Sequence, residues 1–242
     1  VEGFLHEVST NEDLDKEGLI GQFACRRVFG GRLPSDILDR MTIKAIIFDL
    51  GGVLLRTVDF SLRERLAVCL HMNHYELEQI IFGGESGDRA QRGEITVQQH
   101  WENLRQQINF SPEEFKTLID DFFACDEIDE SLIEYVRILH KTYKTALLSN
   151  AWDDLRQVIA ERWHFEDAFD TLIISAEVRL VKPDPRIFQL ALDRLGVEAN
   201  QAIFVDDMKR NVEGAKEAGL QAIQFQNPQQ MRFDLTQLLN SH

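Results

Sequence analysis

The chain has 242 residues, 44% of them apolar and 28% charged, with a formal net charge of −15 at pH 7. That length holds one large domain or a core with an insertion. The acidic balance argues against broad electrostatic binding of nucleic acid or anionic membrane, while leaving room for a locally positive site that takes an anionic substrate. No run approaches the roughly 20 apolar residues of a membrane span, and no charged-apolar-small leader pattern opens the sequence. Cys25, Cys69 and Cys125 show neither metal-site spacing nor a disulfide framework, so the expected setting is reduced and cytoplasmic.

Residues 1–40 carry scattered charges and short apolar pieces with no lasting period. Met41 then opens directly into an apolar run, so it is read as the natural start, with residues 1–40 as an upstream extension; the alternative is an appendage packed on the domain. Ala45-Ile46-Ile47-Phe48 is continuously apolar, the pattern of a strand buried on both faces. It ends in Asp49-Leu50-Gly51-Gly52. Ligands of open α/β sheets bind at the carboxyl ends of strands, and the two glycines allow a sharp turn and close backbone approach. Taken alone, Asp49 reads equally well as a turn residue.

Residues 59–128 read as a helical module with no strand. Phe60–Met72 and Tyr75–Phe82 have apolar residues on one helical face. Thr96-x-x-Gln99 and Ser111-Pro112-x-Glu114 fit helix-start boxes, the second with proline at the first helical position. Phe115, Leu118, Ile119, Phe122 and Phe123 follow at helical spacing, as the module's own core rather than a partner site. The α/β pattern resumes at residue 129. Strands are expected at Thr145–Leu148, Leu172–Ile174 and Ala202–Val205, with an edge strand at Gln221–Phe225. Helices are expected at Ser131–His140, Leu155–Trp163, Ile187–Leu195 and Val212–Ala218. Asp184 and Pro185 start the third of these, and Gly196 stops it. Strands separated by helices imply a parallel sheet with right-handed crossovers.

Polar residues collect at the expected strand ends: Asp49, Ser149 with Asn150, and Asp206 with Asp207. Lys182 follows another strand. A parallel sheet brings all these ends to one edge. Three carboxylates near neutral pH carry about −3, and one lysine leaves them short of positive charge. A divalent cation restores the balance, and hard oxygen ligands suit Mg²⁺. A carboxylate nucleophile, a metal, a lysine and a hydroxyl together can transfer a phosphoryl group.

The order Asp49, Ser149-Asn150, Lys182-Pro183, Asp206-Asp207 resembles the haloacid dehalogenase-like (HAD) hydrolase superfamily, over Ile43 to about Phe225. The resemblance implies an α/β fold: a Rossmann-like core of five parallel strands in spatial order 5-4-1-2-3, formed by residues 41–58 and 129–242, with residues 59–128 as an inserted α-helical cap of subclass I. It implies Asp49 as nucleophile, with Lys182 steadying nucleophile and phosphate. Ser149 and Asn150 bind phosphate, and Asp49, the Gly51 carbonyl, Asp206 and Asp207 hold Mg²⁺. Asn211 supports the acidic pair from behind. Arg179 and the seven histidines are expected to be surface or satisfied polar residues, and Trp101, Trp152 and Trp163 packing residues.

One position departs from the family pattern. The usual Asp-x-Asp has a second aspartate as general acid and base, and here that position is Gly51. Cap residues Asp88, Glu85, Glu94, Asp59, His71 and His74 are candidate substitutes; otherwise the substrate has a good leaving group, or activity is weak. The resemblance, including phosphatases with Asp-Leu-Gly at this place, implies hydrolysis of small phosphate monoesters by a monomer or homodimer, with no nucleic-acid or membrane partner. The rivals are a metal-free 2-haloacid dehalogenase, against which the paired aspartates speak, and a non-catalytic binding module.

Overall fold

The computed structural model describes residues 42–240; the expectations for residues 1–40 and Met41 lie outside them. Strand β1 (Ala45–Phe48) is fully buried along its length. Its side chains alternate between two apolar clusters. Ile46 and Phe48 face one that includes Leu132, Val136, Ile159 and Leu235. Ala45 and Ile47 face another that includes Ile187, Phe188, Leu192 and Ala215. Helices thus cover both faces, which is why the strand's sequence is a continuous apolar run rather than an alternating one.

After β1 come β2 (Leu55–Thr57), helices α1 (Ser61–Cys69), α2 (His74–Phe82), α3 (Gly84–Gln91), α4 (Val97–Ile108) and α5 (Pro112–Phe123), and then β3 (Asp126–Ile128). The core resumes with α6 (Glu130–His140), β4 (Lys144–Ser149) and α7 (Leu155–Val158), which runs into a π-helical turn at Ile159–Trp163. It continues with β5 (Thr171–Ile174), α8 (Ser175–Val178), α9 (Pro185–Leu195), β6 (Ala202–Asp206), α10 (Lys209–Glu217), β7 (Gln221–Gln224) and α11 (Pro228–Asn240). The sheet order is β5-β4-β1-β6-β7, every neighbouring pair parallel. β1 is therefore central, and numbering only the five sheet strands in chain order gives 5-4-1-2-3 when read from the β7 edge, as expected from the resemblance.

The helical cap has its own core of Ala67, Leu77, Ile81, Leu104, Phe115, Leu118 and Phe122. Both expected start boxes are formed. Thr96 and Gln99 exchange side chain-to-backbone bonds at the start of α4, and Ser111 and Glu114 do so at α5. One expectation for this segment is corrected. Residues 126–128, read as part of a strandless module, form β3 and pair antiparallel with β2. The pieces are too short and polar, Leu-Arg-Thr against Asp-Glu-Ile, to show a strand period, and only their pairing across the whole helical segment makes them strands. The sequence pattern also predicts neither helix α3, Gly-Glu-Ser-Gly-Asp-Arg-Ala-Gln, nor α11.

Candidate active site

Asp49 lies just past β1, where its N–H still donates to Val205 of β6 at 2.9 Å. The chain then turns tightly. The N–H groups of Val53, Leu54 and Leu55 all donate to the Leu50 carbonyl. Of the two glycines, only Gly52 has a left-handed backbone, with φ +78°. A Cβ there would also stand 2.3 Å from Asp207 Oδ2, so this glycine makes room for that carboxylate. Gly51 is exposed, and a Cβ placed on it meets nothing within 4 Å. The protein's own atoms therefore require glycine at Gly52 and set no such requirement at Gly51.

Lys182 reaches the same place from the loop between α8 and α9. Its side chain is 1% exposed, and its Nζ lies 2.7 Å from both Asp49 Oδ1 and Asp206 Oδ2. The lysine stem passes the Phe204 ring, with Nζ 5.4 Å from its centroid. The Lys182–Pro183 peptide is cis, and Gly214 of α10 gives Pro183 space, since a Cβ there would lie 2.7 Å from the proline's own. Asp206 ends β6 fully buried. It accepts from Met208 N–H at 2.8 Å, and its two oxygens accept from Asn211 Nδ2 at 3.1 and 3.0 Å. Asn211 thus stands behind Asp206, one member of the acidic pair. Asp49, Asp206 and Asp207 each bring an oxygen within 4.8 Å of the others.

Ser149 is the buried last residue of β4, two residues beyond Leu147, which pairs with Phe48 of β1. It stands at the same edge of the sheet. Asn150 follows it, and its side chain engages the Lys182 peptide. Its Oδ1 accepts from Lys182 N–H at 2.8 Å and its Nδ2 donates to the Lys182 carbonyl at 3.0 Å. The amide side chain therefore clamps the Lys182 peptide.

Burial pushes the Asp49 carboxyl up to about 7; Lys182 pulls it down and the Asp206 charge adds to the rise. Burial, and next the Asp206 charge, also raises Asp207. One buried cation is thus too little for three close carboxylates, and protons make up part of the difference. The all-oxygen donor set, short of positive charge, fits a hard divalent cation.

The candidates for the missing acid–base group fare unevenly. Bonds to Ser61 hold the Asp59 carboxyl below its ordinary value, and the Arg92 partnership does the same for Glu94. Neither is a ready proton donor near neutrality. Glu85 and Asp88 are exposed on α3, His71 is exposed in the turn after α1, and His74 is exposed at the start of α2. None of the six is bonded to Asp49. His100 is buried and satisfied, by Ile81 O at 2.9 Å and Ser86 Oγ at 3.0 Å, and Arg179 is exposed.

Residues 43–219 match the family described as haloacid dehalogenase-like hydrolase. The chain belongs to that family. Among curated proteins, this HAD-like hydrolase is 28% identical over 217 residues to the D-ribitol-5-phosphate phosphatase of Bacteroides thetaiotaomicron, covering 82% of this chain and 100% of that one. It is 30% identical over 208 residues to the pig bifunctional epoxide hydrolase 2, covering 76% of this chain but only 36% of that protein. The chain thus spans about a third of that relative's length. Phosphatases and haloacid dehalogenases both occur among the relatives. A HAD family enzyme of Bacteroides thetaiotaomicron, crystallised with magnesium and inorganic phosphate, superposes with a TM-score of 0.64 at 22% identity, covering 77% of this chain and 95% of that one. At that identity the likeness establishes the fold. No helix among the described residues is long and apolar enough to cross a membrane.

Proposed function

We propose that this HAD-like hydrolase is a magnesium-dependent phosphatase of small phosphate monoesters, sugar phosphates among them, working in the cytoplasm through phosphoryl transfer to Asp49. The observation that carries the reading is the meeting of Asp49, Asp206 and Asp207 around a single buried ammonium group. Three carboxylates this close to one ammonium group call for further positive charge, which a divalent cation supplies and which attack on carbon does not itself require. The full-length relationship to a sugar-alcohol phosphate phosphatase supports the same substrate class.

In this reading Asp49, Asp206, Asp207 and the Gly51 carbonyl hold Mg²⁺, which when bound supplies the positive charge that lets a phosphate approach a carboxylate. Lys182 keeps the Asp49 oxygen in place and neutralises charge on the transferred group, with Ser149 and Asn150 holding phosphoryl oxygens. An Asp49 oxygen attacks phosphorus. The bond from phosphorus to the ester oxygen breaks, and that oxygen leaves with the electron pair. Water then attacks the acyl phosphate, releasing inorganic phosphate and regenerating the carboxylate.

Phosphate release across a panel of phosphorylated metabolites, with Mg²⁺ and with chelator, tests the proposal. The expected result is Mg²⁺-dependent release that Asp49→Asn abolishes. Halide release from 2-haloacids without added metal points to the dehalogenase instead. No turnover of either kind points to a binding module.

A further inference from the structure

Besides the β2–β3 ribbon, the cap meets the core at a second place, and it does so through the loop that follows Ser149 and begins with Asn150. Trp152, three residues past Ser149, leaves the core and packs into the aromatic cluster of the cap. Its ring stacks on Phe82 at 5.7 Å and meets Trp101 edge-on at 4.7 Å. The next residue, Asp153, accepts from the N–H of Val97, the first residue of α4, at 2.9 Å. Ser175 Oγ, at the end of β5, donates to the cap carbonyl of Gln91 at 2.7 Å and accepts from Ala151 N–H at 3.0 Å. The two backbones are so close here that a Cβ on Gly93 would stand 2.0 Å from the Ala176 carbonyl oxygen. On its other side the same loop holds Lys182, through the two bonds of Asn150 to the Lys182 peptide.

We propose that Trp152 is a positioning residue: with Asp153 and Ser175 it latches the cap to the loop after β4, and Asn150 relays that latch to Lys182. The inference rests on the proposed phosphatase reading only for its kinetic consequence. The mechanical link stands on the contacts alone. Two independent contacts, an aromatic ring in the cap and an amide on the lysine loop, load the short segment from Asn150 to Asp153 from opposite sides. A cap that lifts off must either withdraw Trp152 or drag this segment with it. Lys182 then loses the clamp that sets its main chain, and its ammonium group no longer meets Asp49 and Asp206 together.

The direct readout is amide hydrogen exchange, because the Lys182 N–H is itself the donor to Asn150. In Trp152→Ala the Lys182 amide is expected to exchange at least about tenfold faster while β1 and α9 keep their protection. Trp152→Phe, which keeps a ring in the cluster, restores the wild-type rate. Kinetically, Trp152→Ala is expected to lower kcat about tenfold with a smaller change in KM, since positioning is felt in the transition state. Gly93→Ala forces the latch apart without removing any site contact, and is expected to reproduce both effects if Trp152→Ala fails to fold. Faster exchange confined to the cap helices, with the Lys182 amide still protected in both variants, overturns the proposal. A wild-type chain without phosphatase activity but with this exchange pattern overturns the functional reading and leaves the latch standing.

Discussion

Gly51 and Gly52 are adjacent and identical in sequence, yet their surroundings give them opposite tolerances. At Gly52 a left-handed φ and the Asp207 carboxylate both demand the absence of a Cβ. Gly52→Ala should displace Asp207, and we expect Mg²⁺ affinity measured by titration calorimetry to fall at least about tenfold, given that ligands must be held in place to bind. Gly51 has neither constraint, so the carboxylate that the family pattern carries here has room to be put back. A positioned general acid is worth about 10²–10⁴ in rate. In this account Gly51→Asp raises kcat/KM for alkyl phosphates by about tenfold or more and changes acyl phosphates much less, because a good leaving group needs little protonation. Equal effects on the two substrate types would count against an empty acid–base position.

The cap elements are tied to their ribbon by one buried cation. Arg63 of α1 pairs with both oxygens of Asp126 on β3 at 2.7 Å and with Glu78 of α2 at 2.8 Å. It also donates to the Phe122 carbonyl at 3.1 Å and lies over that residue's ring. Burial raises the Asp126 carboxyl, and the Thr57 hydrogen bond and the Arg63 charge oppose that rise together. Arg63→Ala is expected to cost about 3–5 kcal/mol in denaturant unfolding; a loss below about 1 kcal/mol would show that the pair behaves as a surface bridge. The ribbon illustrates what was hidden in the sequence. β1, its glycine turn and the capped helices were legible because burial, backbone sterics and capping act within a few residues. β2 and β3 were not, because each is three polar-apolar residues whose partner lies beyond five helices. Helix α3 was hidden differently: Gly84 and Gly87 weaken its propensity, and packing makes it a helix, with Gly87 so close to Phe82 that a Cβ would meet its carbonyl at 2.7 Å. Asn150 and Trp152 were visible as residues, but their tasks depend on which loops meet, which no local pattern encodes.

Across the whole molecule, stability, metal and pH are linked through the sheet edge. The Asp49 carboxyl is raised from 3.8 to about 7 in the fold without metal. The folded chain therefore holds a proton that the unfolded chain releases. The associated stability is fully present below the unfolded value and is lost as pH rises through about 7. Asp207 shifts in the same direction. A bound cation replaces those protons, so added Mg²⁺ should raise Tm more at about pH 8 than at about pH 5. Asp49→Asn should shrink the difference, and an equal shift at both pH values would contradict the linkage. The identity of the reaction rests on one bond. The most direct measurement is acid quench of the enzyme during turnover of a phosphorylated substrate, followed by mass spectrometry of the peptide that contains Asp49. The account predicts a phosphoryl group on Asp49, absent from the Asp49→Asn variant. A phosphoryl group on another residue, or a carbon ester on Asp49 formed from a 2-haloacid, would contradict it.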